Sequence, residues 1–147
     1  MNALALAAQR HAGQFDKRGR PYVMHTMEVA LQVVRLGCME PEVLDAALLH
    51  DTIEDTDTTA SELRHVGFSK RTVDIVEAVT RREGEDYEDF IERVANSGRD
   101  AVLVKLADVS VNLGTLDQLP VGDFARLMGR YVLALARLAK AQKETLP

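Results

Sequence analysis

The amino-acid sequence predicts a single all-α domain over residues 1–147, a bundle of about seven or eight helices. Three observations support this fold class. Apolar residues recur at helical spacing from end to end, no segment alternates as a strand would, and helix-capping signals separate the periodic segments. With 147 residues, 46% of them hydrophobic, the chain has the size and composition of an ordinary globular domain.

The first half of the chain predicts three helices in order. The N-terminal segment MNALALAAQRHAGQ is apolar but soon meets charged residues, so it predicts a first helix and not a signal peptide. Residues 25–36 place their apolar side chains on one stripe, and Gly37 is a natural stop. Pro41 is suited to the first turn of the next helix, whose apolar face leads to His50.

Capping signals mark the later helices. The segment Thr59-Ala-Ser-Glu has capping-box spacing, and Ser69 is a suitable N-cap for the helix that follows. The polar stretch RREGED predicts a loop, after which Asp86 can cap another helix. Two further helices are predicted over residues 100–112 and from about residue 121 to near the end of the chain.

Composition excludes several classes of function. The net charge is −5 and no long basic run is present, which argues against non-specific nucleic-acid binding. No apolar run approaches the roughly 20 residues that a membrane span needs. The single Cys38 cannot form an internal disulfide, and we expect it to be a buried free thiol in a cytoplasmic protein. The apolar face of the last helix could cover the core or equally serve a homodimer.

The segment HDTIED concentrates ionisable side chains directly after a run of apolar residues. On a helix His50 and Glu54 share one face, and Asp51 and Asp55 share the next, because each pair is four residues apart. A solvated helix terminus accounts for the acidic residues, but less well for a His-Asp pair that follows buried-looking leucines and alanines. The segment alone leaves a metal site and a solvated terminus open.

Two other segments favour the metal site. Asp108 and Asn112 lie four apart on an otherwise apolar helix, where an isolated buried carboxylate needs a partner such as a cation. His25 begins a helix after a loop with Lys17 and Arg18, although a lone histidine on a helix is more often a core or surface residue. Two histidines and two aspartates suit a divalent transition ion, and the open position that a hydrolase needs favours Mn²⁺.

The order of His25, the pair His50-Asp51 and Asp108 resembles the pattern of the HD phosphohydrolase superfamily. More narrowly, the sequence resembles the hydrolase domain of the RelA/SpoT-type alarmone enzymes and their small stand-alone members. The resemblance runs from about Ala3 to Leu119, and its strongest segments are HAGQ, GRPYVMH, AALLHDTIEDTDTT and VKLADVSVNLGTL.

The resemblance implies removal of the 3′-pyrophosphate from guanosine tetra- or pentaphosphate, which yields GDP or GTP and pyrophosphate. It implies a manganese ion held by His25, His50, Asp51 and Asp108. Glu54 and Asp55 would activate the attacking water or assist the leaving group, and the sequence does not assign which of them is the base. The residues expected to contact the nucleotide and its phosphates are Lys17, Arg18, Tyr22, Asn112 and Thr115. For Tyr22, a packing role is equally compatible with the sequence.

The sequence departs from the family pattern around the expected substrate pocket. Arginines that are typical of the family are replaced at Asp16, Val109 and Gly114. Thr26 replaces the proline that usually follows the first histidine. The loss of guanidinium groups weakens the expected grip on a tetraphosphate. Arg18 and Arg20 could compensate, or could be solvated loop residues.

The altered pocket leaves two alternatives to an alarmone hydrolase. One is the same metal chemistry on another nucleotide or phosphorylated cofactor, such as NADPH or a 5′-nucleotide. The other is a non-catalytic nucleotide- or metal-binding module, which has no need of the water-activating pair Glu54 and Asp55. Outside this set, we expect His11 of the HAGQ segment to pack or to act indirectly, and His65 to lie at the surface.

Overall fold

The computed structural model describes residues 2–144, and the all-α prediction is confirmed. The helices are α1 (Ala3–Arg10), α2 (Val23–Arg35), α3 (Pro41–Leu49), α4 (Thr52–Asp55), α5 (Ala60–His65), α6 (Lys70–Val79), α7 (Tyr87–Ala95), α8 (Arg99–Leu113) and α9 (Val121–Glu144). A 3₁₀ turn over Leu116–Gln118 joins the last two. Because α4 is only a single turn of four residues, the remaining eight α-helices within residues 2–144 agree with the predicted seven or eight.

Most predicted helix boundaries are confirmed by the local geometry. Gly37 follows α2 with a φ of 90°, a left-handed conformation that glycine adopts without strain. Pro41 is the first residue of α3. The hydroxyls of Thr59 and Ser69 each accept a hydrogen bond from the backbone N–H three residues later, which caps α5 and α6.

The predicted cap at Asp86 is wrong in one respect. Asp86 occupies the N-cap position of α7 with an extended backbone, but its side chain accepts no capping hydrogen bond. Glu88 and Asp89 stand in the first turn of α7, where their negative charges already complement the helix dipole.

The centre of the fold is α8, which packs against α2, α3, α6, α7 and α9. All nine residues from Ala101 to Val109 are buried, so this helix has no solvent-facing side over its middle turns. Two of these nine residues, Lys105 and Asp108, are charged. Burial of a charge is costly unless an opposite charge or hydrogen bonds offset it. The contacts that offset the charges of Lys105 and Asp108 belong to the site described below.

The last helix, α9, covers α7 and α8 with one face. Its buried residues are Ala134, Leu138 and Ala141, whereas Val132 and Leu133 are exposed. Among the helices within residues 2–144, none combines the length and apolar character that crossing a membrane requires. Cys38 is a buried free thiol, as predicted.

Candidate metal centre

Three places in the chain bring the predicted metal ligands together. His25 lies in the first turn of α2, His50 and Asp51 lie between α3 and α4, and Asp108 lies in the middle of α8. These helices meet because α2 packs on both α3 and α8. The expectation that one uninterrupted helix carries the HDTIED segment is wrong, because α3 ends at Leu49 and helical hydrogen bonding resumes only in α4.

Side chains stabilise this break. His50 Nδ1 donates to the carbonyl oxygen of Ala47 at 2.8 Å, and the Thr52 hydroxyl donates to that of Leu49 at 2.7 Å. Both carbonyls are among the last of α3, which lack main-chain partners when the helix stops. The break turns the His50 ring so that its other nitrogen, Nε2, faces the carboxylates.

The four side chains converge at short range. His25 Nε2 lies 3.2 Å from Asp108 Oδ1 and 3.7 Å from Asp51 Oδ2. His50 Nε2 lies 2.9 Å from Asp51 Oδ2 and 3.6 Å from Asp108 Oδ1. One potential ligand atom each of His25, His50 and Asp51 lies within 4.8 Å of the others. The predicted ligands therefore form one cluster, which we call the His-Asp cluster.

The chemistry of the His-Asp cluster fits a divalent cation. Because Nδ1 of His50 donates to a carbonyl, its Nε2 is a bare acceptor in the neutral ring, and it faces acceptor oxygens. In the neutral ring this buried nitrogen finds no donor among the described residues, because the carboxylate oxygens that it faces can only accept. Burial acts to lower the pKa of His50, yet the charges of Asp51 and Asp108 raise it to about 10. The cluster therefore attracts positive charge, and two imidazoles with two carboxylates are suitable ligands for a transition ion.

Two residues predicted to hold the nucleotide instead donate to the carboxylates. The Tyr22 hydroxyl donates to Asp51 Oδ2 at 2.6 Å, and Asn112 Nδ2 donates to Asp108 Oδ1 at 2.7 Å. Burial and the charge of Asp51 raise the pKa of Tyr22 above its usual value, so the phenol keeps its proton. Outer hydrogen bonds of this kind orient metal ligands.

Lys105 is a neighbour of the His-Asp cluster that the sequence reasoning missed. Its Nζ donates to Asp108 Oδ2 at 2.8 Å. The signal was available, because residues three apart on a helix share a face and a lysine on an otherwise apolar helix needs a partner.

The structure separates the two acidic residues that the sequence left equivalent. Glu54 Oε2 accepts a hydrogen bond from the backbone N–H of Arg81 at 2.8 Å and lines a polar cleft of about 530 Å³ beside the α6–α7 loop. Asp55 instead interacts electrostatically with the His-Asp cluster. Desolvation, followed by the charges of Asp51 and Glu54, raises the pKa of Asp55 to about 6.

A small cavity of about 110 Å³ adjoins the His-Asp cluster and gathers most of the predicted substrate residues. The residues that line it are Phe15, Asp16, Lys17, Arg20, Tyr22, His25, Glu28, Asn112 and Thr115. Arg18 is the exception. Its guanidinium donates to the carbonyl oxygen of Gly114 at 2.6 Å and lines a neighbouring cavity of about 360 Å³.

Asp16 organises the α1–α2 loop. Its Oδ1 accepts from the backbone N–H groups of Arg18 and Arg20, each at 2.9 Å, and its Oδ2 accepts from Arg20 Nε at 2.9 Å. The Arg20 guanidinium also donates to Glu28 at 2.8 Å. Two carboxylates therefore engage the Arg20 guanidinium, so it is not a freely solvated loop residue.

The HAGQ segment connects the α1–α2 loop to α4. His11 is buried, and its Nδ1 donates to Gln14 Oε1 at 2.8 Å. Gln14 Nε2 in turn donates to the backbone oxygen of Asp55 at 3.0 Å, and the His11 ring lies 4.8 Å from that of Tyr22. The segment thus contacts both the turn that carries Asp55 and the phenol that holds Asp51.

A helical domain with paired histidines and aspartates buried where three helices meet defines the HD class of proteins. The chain belongs to the HD domain family, which matches residues 3–130.

Named relatives agree with this assignment. A guanosine-3′,5′-bis(diphosphate) 3′-pyrophosphohydrolase of Aquifex aeolicus is 39% identical over 78% of this chain, which spans only 17% of that protein. The zebrafish protein of the same name, MESH1, is 35% identical over 99% of this chain and 84% of its own length. A solved structure, described as a metazoan ortholog of SpoT that hydrolyses ppGpp, superposes with a TM-score of 0.80 at 28% identity, covering 97% of this chain and 90% of that one.

Proposed function

We propose that this chain is a metal-dependent phosphohydrolase that removes the 3′-pyrophosphate from guanosine tetra- or pentaphosphate and releases GDP or GTP. One observation carries the proposal. The His-Asp cluster, with the buried and unpartnered Nε2 of His50, lies in a chain that matches a guanosine-3′,5′-bis(diphosphate) 3′-pyrophosphohydrolase over 84% of that relative's length. The proposed ligands are His25, His50, Asp51 and Asp108, and the proposed ion is Mn²⁺.

A bound divalent cation would supply a Lewis acid and bring the pKa of water towards neutrality. The chain's own residues then handle the protons. Desolvation and the charges of Asp51 and Glu54 raise the pKa of Asp55 to about 6 before a cation binds, and we assign to this residue the proton of the attacking water. Glu54 is held by the backbone N–H of Arg81 and acts as the secondary acidic group. The engagement of Glu54 favours Asp55 as the base.

The products dictate which bonds change. Water adds to the phosphorus that is attached to the ribose 3′-oxygen, and the bond from that phosphorus to the 3′-oxygen breaks. The 3′-oxygen leaves with the bonding electron pair and takes up a proton, while the pyrophosphoryl group departs with the oxygen of the water. Hydrolysis therefore needs no oxidant, reductant or further co-reactant.

The small cavity beside His25 is the proposed nucleotide site. Lys17 supplies a cation, and Thr115 supplies a hydroxyl that already donates to the carbonyl oxygen of Asn112 at 2.7 Å. Arg18 extends the positive surface towards Gly114. Tyr22 and Asn112 act in this proposal by holding the two carboxylates, and they present their remaining polar edges to the ligand.

The test is hydrolysis of guanosine tetraphosphate by the purified chain, with and without added Mn²⁺, followed by ion-exchange separation of the products. We expect GDP and pyrophosphate in equal amounts, and only with metal. Asp51→Asn should abolish both Mn²⁺ binding and turnover, whereas Asp57→Asn, a change at a nearby exposed acid, should affect neither. Turnover that persists in a metal-free, chelator-treated sample would refute the proposal.

A second candidate is hydrolysis of a different phosphorylated nucleotide by the same centre. It is favoured by the Arg20 network, because Asp16 and Glu28 consume a cation that would otherwise bind phosphate. The two candidates differ in their products. Release of orthophosphate alone across a nucleotide panel, with no pyrophosphate from guanosine tetraphosphate, would replace the first function with the second.

A further inference from the structure

A buried ammonium group lies against the His-Asp cluster. Lys105 is 8% exposed and sits one turn before Asp108 in the middle of α8. Its Nζ donates to Asp108 Oδ2 at 2.8 Å and lies 4.8 Å from the centroid of the Phe90 ring. The ion pair with Asp108 holds this buried group as an ammonium. The side chain is therefore a fixed positive charge inside the protein.

Orientation of Asp108 does not by itself require that charge. Asn112 Nδ2 already donates to Asp108 Oδ1, so a neutral group holds one carboxylate oxygen. A neutral donor at position 105 could hold the other oxygen without placing a positive charge where a cation is to bind. Two positive charges in a poorly solvated site repel each other, so Lys105 acts against metal affinity.

The charge of Lys105 changes the balance of the whole centre once a cation is bound. With neutral imidazoles, Asp51 and Asp108 together carry two negative charges, which a divalent cation cancels. Counting only the four proposed ligands, the cation and Lys105, the loaded centre then carries one positive charge. A phosphate binds more favourably to such a centre than to a neutral one, because the local charge determines anion affinity even in a chain whose net charge is −5.

We propose that Lys105 is a positioning residue with an electrostatic role: its ammonium group engages Asp108 Oδ2, and its charge lowers the affinity of the centre for a cation and raises the affinity of the loaded centre for phosphate. This inference rests on the proposed metal centre. It assigns to α8, and not only to the cavity-lining loop, a direct influence on how strongly the anionic substrate is held.

The test uses Lys105→Met, which keeps the length and the packing against Phe90 but removes the charge. Mn²⁺ affinity is measured by chelator competition, and the affinity of the Mn²⁺-saturated protein for inorganic phosphate is measured by calorimetry. We expect Mn²⁺ to bind about tenfold more tightly and phosphate about tenfold more weakly, since the loss of one nearby charge acts on the two ions with opposite sign. Should this variant fail to fold, Lys105→Gln is neutral, can still donate to Asp108, and carries the same expected signs.

Two matched controls accompany the test. Lys105→Arg keeps the charge and should retain phosphate affinity, and Lys140→Met, at an exposed lysine of α9, should change neither constant. A merely structural role would loosen Asp108, so that both affinities fall together, and that result would overturn the inference. If the wild type binds Mn²⁺ and the charge-removing variant has the same Mn²⁺ and phosphate affinities, the inference fails and the proposed metal centre stands. A wild type that binds no divalent cation would overturn the proposed metal centre as well.

Discussion

The two flanks of the His-Asp cluster are built on different principles. On one flank, the α1–α2 loop over residues 11–22 fixes its polar groups in hydrogen bonds, within the loop at Asp16 and to the His-Asp cluster through Tyr22. On the other flank, α4 and the α6–α7 loop surround an open polar cleft of about 530 Å³, and no ion pair engages Asp55 among residues 2–144. The difference indicates that the first flank holds the proposed ligands in place, whereas the acidic pair of the second flank is available for proton chemistry.

The difference between the two flanks is tested most strongly at Glu54 and Asp55. Asp55→Asn should lower kcat by about 100- to 1000-fold, because it removes the proposed proton acceptor. Glu54→Gln should cost about tenfold or less, because its carboxylate is engaged by the N–H of Arg81. Steady-state kinetics at saturating Mn²⁺ measure both. A larger loss in Glu54→Gln would assign the base to Glu54 and reverse the roles.

The holding role of the first flank can be tested at Tyr22. Tyr22→Phe removes the donor to Asp51 Oδ2 and should lower Mn²⁺ affinity by about tenfold. Chelator competition gives this constant directly. Tyr131→Phe is the matched control, because that hydroxyl contacts Lys17 Nζ at 3.2 Å and not a proposed ligand. Equal metal affinity in Tyr22→Phe and the wild type would show that the phenol does not support the centre.

A smaller effect is expected at Asp16. Asp16→Ala removes the acceptor for two backbone N–H groups and for the Arg20 guanidinium, so the loop that carries Lys17 loosens. KM for the nucleotide should rise about fivefold while kcat stays within about twofold, as for loss of uniform binding. Initial-rate kinetics separate the two constants, and Asp123→Ala on exposed α9 should change neither. A fall in kcat at unchanged KM would argue for a catalytic contribution from this loop.

The smallest effect concerns stability beside the open cleft. Glu85 accepts hydrogen bonds from Arg93 and from the backbone N–H of Arg82, which lowers the pKa of Glu85 to about 2. Because the pKa of Glu85 in the folded chain lies below its ordinary value of 4.5, the charged carboxylate stabilises the fold at a pH above that value. This contribution is lost as the pH falls towards 2.

Denaturant unfolding measures this contribution. Glu85→Gln should be about 1 kcal/mol less stable than the wild type at pH 7, and the difference should shrink at about pH 3. A difference that is constant with pH would mean that the charge of Glu85 does not matter to the fold.

Helix boundaries could be predicted because they depend on local chemistry. Gly37, Thr59 and Ser69 act through their own backbone or hydroxyl groups, whatever the rest of the chain does. The proximity of the four residues of the His-Asp cluster rested on residue types, order and family resemblance, because residues so far apart in sequence meet only in the folded chain. That they bind a metal stays a prediction.

What could not be predicted depends on contacts between elements. The role of Asp16 follows from a loop that folds back on its carboxylate, and the loss of a family-typical arginine suggested only a weaker phosphate grip. Glu54 and Asp55 are neighbours in sequence, and only the position of Arg81 N–H and the break after Leu49 make them different.

The complete burial of α8 from Ala101 to Val109 also has a consequence for how such a chain can diversify. Substitutions there alter packing against five other helices at once, so most of them carry a folding cost before they affect any ligand. The α1–α2 loop contacts the rest of the fold through single side chains, such as Lys17 with Tyr131 and Arg18 with Gly114. Substitutions at residues 15–20 are therefore expected to alter ligand preference at a smaller folding cost than substitutions in α8.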